Sequence, residues 1–230
     1  MSGCAIAPHP DVDAFARATD ANSFDARGAF VSQEALVLPV VQDRQTEGPS
    51  CGAHALASVV NYWRGPGVLS GLALYRASPP ASPAGYSLAE LQTLAGRYGL
   101  LASAVRLPEA GLIEELERGR PVLTPVRLPS IYVQQRTFPG GDLPVLGWVR
   151  RTFIGHAGRL QERTNAAMID HYLLVVGYQG DVFVVVEPVM GYRTIRFSTL
   201  QRYRAPFENA ALVLSAPAPP RALEAVGTAS

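Results

Sequence analysis

Two apolar runs late in the chain constrain the fold most. His171 to Tyr178 reads H-Y-L-L-V-V-G-Y and Val182 to Glu187 reads V-F-V-V-V-E, with Gln179-Gly180-Asp181 between them. Runs this rich in β-branched residues, separated by a short Gly-containing segment, predict an antiparallel hairpin. Strand-like segments at 192–197 and 211–214 continue the β-region, with a helical turn over Ser198–Tyr203 between them. The clear helical signals come earlier. Cys51 to Trp63 places Ala55, Val59 and Trp63 on one face, and Gly65-Pro66-Gly67 stops it. Ser87 to Tyr98 opens with the Ser87/Glu90 capping-box pattern and ends before Gly99. Helices early and antiparallel strands late indicate an α+β fold, not alternating βαβ units.

The remaining segments fill in around these. Ala35 to Val41 reads as a strand that Pro39 would favour at a sheet edge, leading to Gln45. Leu69–Ala77 and Leu112–Glu117 read as short helices, and Leu101–Leu107 and Arg120–Leu128 as strands. Residues 129–167 are rich in Gly, Pro and Arg with isolated aromatics, which predicts a long irregular excursion; one of that length is usually functional or mobile. Three regions follow: an N-terminal arm over 1–30, one domain over 31–215, and a disordered tail over 216–230.

A chain of 230 residues, 48% hydrophobic, suits one domain with a full core. All 20 basic residues are arginine against 19 acidic ones, and a net charge of +1 gives no reason to expect nucleic acid as a partner. We attach no function to the missing lysine. Cys4 and Cys51 are too few for a disulfide framework. No apolar run approaches the roughly 18 residues that span a bilayer. Ser2-Gly3-Cys4 resembles the end of a bacterial lipoprotein signal, although no hydrophobic segment precedes it. Two alternatives follow: Cys4 is lipidated and holds the domain at the bacterial cell envelope, or the N-terminus is free and the protein cytoplasmic.

Chemistry concentrates at Cys51. It follows Q-T-E-G-P-S and begins a helix, where the positive end of the helix dipole favours thiolate, the nucleophilic form. Gln45, six residues upstream, can supply an amide donor to an oxyanion. A three-residue hairpin loop would pair Tyr178 with Val182, set Leu173 opposite Glu187, and leave His171 and Glu187 as diagonal neighbours on one face. A two-residue loop would put them on opposite faces. In the first register Glu187 orients His171, and His171 serves Cys51 as base. Asp170 competes as the orienter but points to the other face.

The motifs Q-T-E-G-P-S-C-G and H-Y-L-L-V-V-G-Y, followed by E-P-V-M-G-Y, resemble those of the double-glycine leader peptidases, papain-like cysteine peptidases of bacteria. The resemblance runs from about Ala35 to Leu214 and includes S-L-A-E-L-Q-T-L-A and G-R-P-V-L. It implies a papain-like fold with N-terminal helices packed on a C-terminal antiparallel sheet, and a peptide or protein substrate. It also implies Cys51 as nucleophile, His171 as general base, Gln45 with the Cys51 amide as oxyanion hole, and Glu187 where the family typically has aspartate. No transporter region follows the domain in this chain.

Each residue has a plainer role to set against this. Cys51 could be a small buried residue, His171 a strand histidine and Glu187 a surface acid; their occurrence in the family's order favours chemistry. His54 makes a Cys-x-x-His pair with Cys51, but zinc takes about four ligands and no second Cys/His pair exists. No metal or cofactor is expected. His156 reads as a surface histidine, Gly140-Gly141 as a turn, and Tyr132 and Trp148 as packing residues or a substrate wall. The expected activity is peptide-bond hydrolysis. The alternatives are another acyl transfer, as in an amidase or transglutaminase, or a peptide-binding module without catalysis.

Overall fold

One long strand organises the sheet. Elements are numbered in chain order, and the computed structural model describes residues 30–32, 35–46, 48–133 and 155–216. Strand β5 (Met168–Gln179) pairs along most of its length with β4 (Val122–Pro129). Beyond that, β2 (Ala35–Val37) takes up the same edge opposite Gly177–Gln179, while β6 (Val182–Glu187) pairs on the other edge. From β4 the sheet continues to β8 (Ala210–Ser215) and β3 (Leu101–Arg106). From β6 it continues to β7 (Gly191–Arg196), and β1 (Phe30–Ser32) lies outside β2. All the pairings in this eight-stranded sheet are antiparallel. With the helices, this is the α+β architecture that the order of elements predicts.

Helix α1 (Cys51–Arg64) is buried along its first ten residues. Its Gly52 sits close to Leu91 and Tyr172, so α1 is wedged between β5 and α3 (Leu88–Arg97). The Ser87/Glu90 capping box forms as the sequence predicts. Around these lie α2 (Gly71–Ala77), α4 (Glu109–Glu117) and α6 (Phe197–Arg204).

Three expectations need correction. Residues 155–164 form a helix, α5, inside the stretch read as irregular; its two glycines and scattered arginines hide the apolar periodicity. Trp148 and Gly140-Gly141 lie outside the described residues. Pro39 marks no edge strand: β2 stops at Val37 and is flanked by β1 and β5, so Pro39 falls beyond the ladder.

The hairpin is the third. Gln179 pairs directly with Val182, so the loop has two residues, not three. That loop alone would shift every β5 side chain to the opposite face relative to β6. The register then slips by one between Val175 and Gly177, leaving Val176 as a bulge, and Leu174 pairs with Val186. One step further, Leu173 comes opposite Glu187, the alignment that a three-residue loop would have given. The bulge thus restores His171 and Glu187 to one face.

Gly177, beside the bulge, allows β2 to approach. A Cβ there would lie 2.3 Å from the Leu36 carbonyl oxygen and 2.8 Å from the Val37 Cα. We predict that Gly177→Ala destabilises the protein by about 1–3 kcal/mol, because backbone must move. Gly96→Ala, on α3 with nothing within 4 Å of the added Cβ, is expected to gain about 0.5–1 kcal/mol. Urea midpoints measure both, and a Gly177→Ala midpoint equal to wild type would refute the close approach.

Candidate active site

Cys51, His171 and Glu187 come from three different elements and meet in the interior. Cys51 is 8% exposed, His171 6% and Glu187 5%. His171 Nε2 lies 2.5 Å from Glu187 Oε1. The Cys51 side chain is near enough to the same ring to raise its pKa, and the two line one cleft. With Nε2 given to the carboxylate, Nδ1 is the nitrogen left for the sulfur.

Glu187 is held rigidly for an acid at a strand end. Its Oε1 accepts from the Val189 amide at 2.9 Å, and its Oε2 accepts from the Met190 amide. A buried carboxylate needs this many donors to offset the loss of water. Burial would push the His171 pKa down. Hydrogen bonds to Cys51 and Glu187, and their charges, outweigh it and raise the pKa from 6.5 to about 10. Asp170 is not part of this arrangement; it faces Arg127, with Arg127 Nε donating to its Oδ1 at 2.7 Å.

Sequence reasoning missed the bracket behind Glu187. Gln42 is buried, and its Nε2 donates to the Glu187 and Pro188 carbonyl oxygens, at 2.6 Å each. The Gln45 amide nitrogen also donates to Pro188 O, at 2.8 Å. The next residue, Asp43, fastens the same segment to α1. Its carboxylate accepts from His54 Nδ1 and from the Gly71 amide, and its own amide donates to Ser58 Oγ at 2.8 Å. His54 therefore points away from the thiol into a structural role. Glutamine and aspartate in a loop look like solvated residues, so neither Gln42 nor Asp43 stood out in the sequence.

The Gln45 side chain spends one Nε2 hydrogen on the Gly48 carbonyl at 2.7 Å, and its Oε1 is buried without a hydrogen-bond partner. The start of α1 leaves donors available. Ser50 precedes it without a side-chain cap, and the helical bonding begins with the His54 amide on Ser50 O. The amides at Cys51 and Gly52 come before that first bond.

A cleft of about 390 Å³ opens onto Cys51 and His171. The 81–87 loop forms one wall and Pro125 and Phe207 line another part. Tyr172 pins that loop, its hydroxyl donating to Tyr86 O at 2.8 Å. His156, on α5, is exposed, as the sequence suggests.

No protein-family model and no curated protein matches the chain. Solved structures do. A candidate C39-like peptidase from Bacillus anthracis aligns at TM-score 0.55 and 11% identity, over 81% of this chain and 100% of that one. The peptidase domain of Streptococcus ComA, a bifunctional ABC transporter in quorum sensing, aligns at 0.48 and 14%, over 76% and 98%. A double glycine motif protease from an AMS/PCAT transporter, in complex with the leader peptide, aligns at 0.45 and 17%, over 76% and 89%. The first is close enough in shape to show a shared fold, and at its identity the likeness is one of fold alone.

The raised His171 pKa makes a prediction. The protonated ring is favoured, so the stabilisation it brings is full below pH 6.5 and drains away as pH climbs through about 10. NMR of the imidazole should show His171 still protonated at pH 8. Glu187→Gln removes the carboxylate charge and should move that titration downward; the stability gap between it and wild type should be widest near pH 6 and shrink above pH 10. A His171 titration near 6.5 in the wild type would contradict the pairing.

Proposed function

We propose that the protein is a cysteine peptidase. The observation that supports this best is His171 bonded to Glu187 and sharing a cleft with Cys51. The shared fold with a C39-like peptidase agrees with it. In this reading Cys51 Sγ attacks the scissile carbonyl carbon, forming the S–C bond as the carbonyl π pair moves onto oxygen. The Cys51 backbone amide and the second hydrogen of the Gln45 amide stabilise that oxyanion. Protonated His171 then donates to the leaving amine as the C–N bond breaks. Neutral His171 takes a proton from water, which attacks the thioester and frees the acid and Sγ. Glu187 keeps the ring oriented and stabilises its cationic form.

A Glu187 turned away from His171 would have favoured the catalytically silent alternative; instead the two lie 2.5 Å apart. Hydrolysis and transfer to another amine share every step through the thioester, and no residue of the cleft favours transfer.

The test has two parts. Wild type should be alkylated at Cys51 by iodoacetamide at pH 7 at least about tenfold faster than His171→Ala, since the ring activates the sulfur. Incubated with a proteome-derived peptide library, wild type should generate new termini that Cys51→Ala does not. On a substrate found this way, Gln45→Ala should lower kcat by about 10²- to 10³-fold with a smaller change in KM. Equal alkylation of wild type and His171→Ala, with no library cleavage, would overturn the reading.

A further inference from the structure

A second cavity, larger than the cleft at Cys51, lies elsewhere on the molecule. It measures about 860 Å³ and lies between α5, α6 and the β5–β6–β7 face of the sheet. Five arginines line it, 159, 163, 193, 196 and 202, against two glutamates, Glu162 and Glu187. Neither glutamate is free to neutralise the whole group. Glu187 is committed to His171, and Glu162 accepts from the Tyr203 hydroxyl and faces Arg202 at 3.5 Å. Arg159, Arg163 and Arg196 form no ion pair with a described carboxylate. Elsewhere Arg106, Arg118, Arg120 and Arg127 each meet an acid, whereas Arg64, Arg97 and Arg204 bond to carbonyl or hydroxyl oxygens. Arg193 is partly buried, and burial lowers its pKa to about 10, which still leaves it charged at neutral pH.

Like charges gathered around one concavity raise its potential and draw in anions. The floor is different in character: Leu128, Leu173, Val185, Ile195 and Tyr132 are apolar or aromatic. A site with an arginine rim over an apolar floor fits a ligand that alternates carboxylates with apolar side chains; a bare phosphate would leave the floor unused. The cavity also adjoins the candidate catalytic centre. Glu187 lines it, and Glu187 binds His171, which lines the cleft with Cys51. The buried His171–Glu187 pair thus stands between the two, so the cavity is near the centre without opening onto Cys51. The chain's own 134–154 stretch has the wrong charge for this rim, with three arginines and one aspartate.

We propose that this cavity is a docking site for an acidic, partly apolar segment of the peptide substrate, selecting substrates at a distance from the cut. The identification of the ligand as substrate rests on the peptidase reading; the binding itself does not.

The test uses full-length Cys51→Ala protein, which cannot turn over, and two fluorescein-labelled peptides, ELEELE and its uncharged twin QLQQLQ, read by anisotropy at low salt. ELEELE should bind at least tenfold more tightly than QLQQLQ. The double substitution Arg159→Gln/Arg196→Gln should abolish that difference, whereas Arg106→Gln, at a paired surface arginine, should leave it intact. Equal binding of the two peptides would overturn the proposal, as would a preference for ELEELE that survives Arg159→Gln/Arg196→Gln. Tripolyphosphate binding as tightly as ELEELE, with the same dependence on Arg159 and Arg196, would also overturn it in favour of a small-anion site. The two readings fail separately. Unreactive Cys51 with intact ELEELE binding sinks the peptidase and keeps the site; a reactive thiol without ELEELE binding does the reverse.

Discussion

A carboxylate buried at the end of β6 sets the terms for its whole neighbourhood. Glu187 is 5% exposed, and a charge so far from water is stable only if the fold surrounds it with donors. The fold supplies His171 and two turn amides directly. It then holds the turn itself through Gln42 and the Gln45 amide. Because Asp43 ties that segment to His54 and Ser58 on α1, the element that carries Cys51 and the turn that carries Glu187 are braced by one stretch of chain. The distance between Cys51 and Glu187 is therefore fixed by hydrogen bonds that the side chains of Cys51, His171 and Glu187 do not make.

His171 is the point at which this bracing becomes chemistry. Left alone in the interior, an imidazole loses its proton to burial. With the carboxylate on Nε2 and the Cys51 sulfur nearby, it keeps it, and the ring becomes a buried cation with an anion on one side. That is the arrangement an acyl transfer needs, a proton held ready for the leaving amine next to the attacking atom.

Much of this was legible in the sequence because it rests on local signals. The capping box at Ser87, the apolar face of α1 and the β-branched runs of β5 and β6 each determine their element within a dozen residues. Order along the chain picked out Cys51, His171 and Glu187. The features that stayed hidden depend on distant partners. The bulge at Val176 lies where β2 takes over from β4 along β5, a Val37–Gly177 pairing that spans about 140 positions. Expecting a three-residue loop gave the correct facing of Leu173 and Glu187 for the wrong reason, since one residue was added at the loop instead of in the strand. Gln42 gave no warning at all, because a loop amide has no pattern that separates a buried bracket from a solvated side chain. Helix α5 escaped for a local reason, two glycines in its first four residues.

Glutamate in the third position, where the resembled family typically has aspartate, is accounted for by the turn that follows it. A strand-end aspartate would reach across to the histidine with little length to spare. The extra methylene lets the Glu187 carboxylate reach His171 with Oε1 and also cover the Val189 and Met190 amides, one on each oxygen. The longer side chain loses more rotamer freedom on ordering, a cost of about 1–2 kcal/mol at most. Three donors offset that cost, since hydrogen bonds to a charged group are worth roughly 1.5–3 kcal/mol each. Glu187 also lines the arginine-rich cavity. The longer side chain that looks like a departure in the sequence is thus the one that serves His171 and both turn amides together.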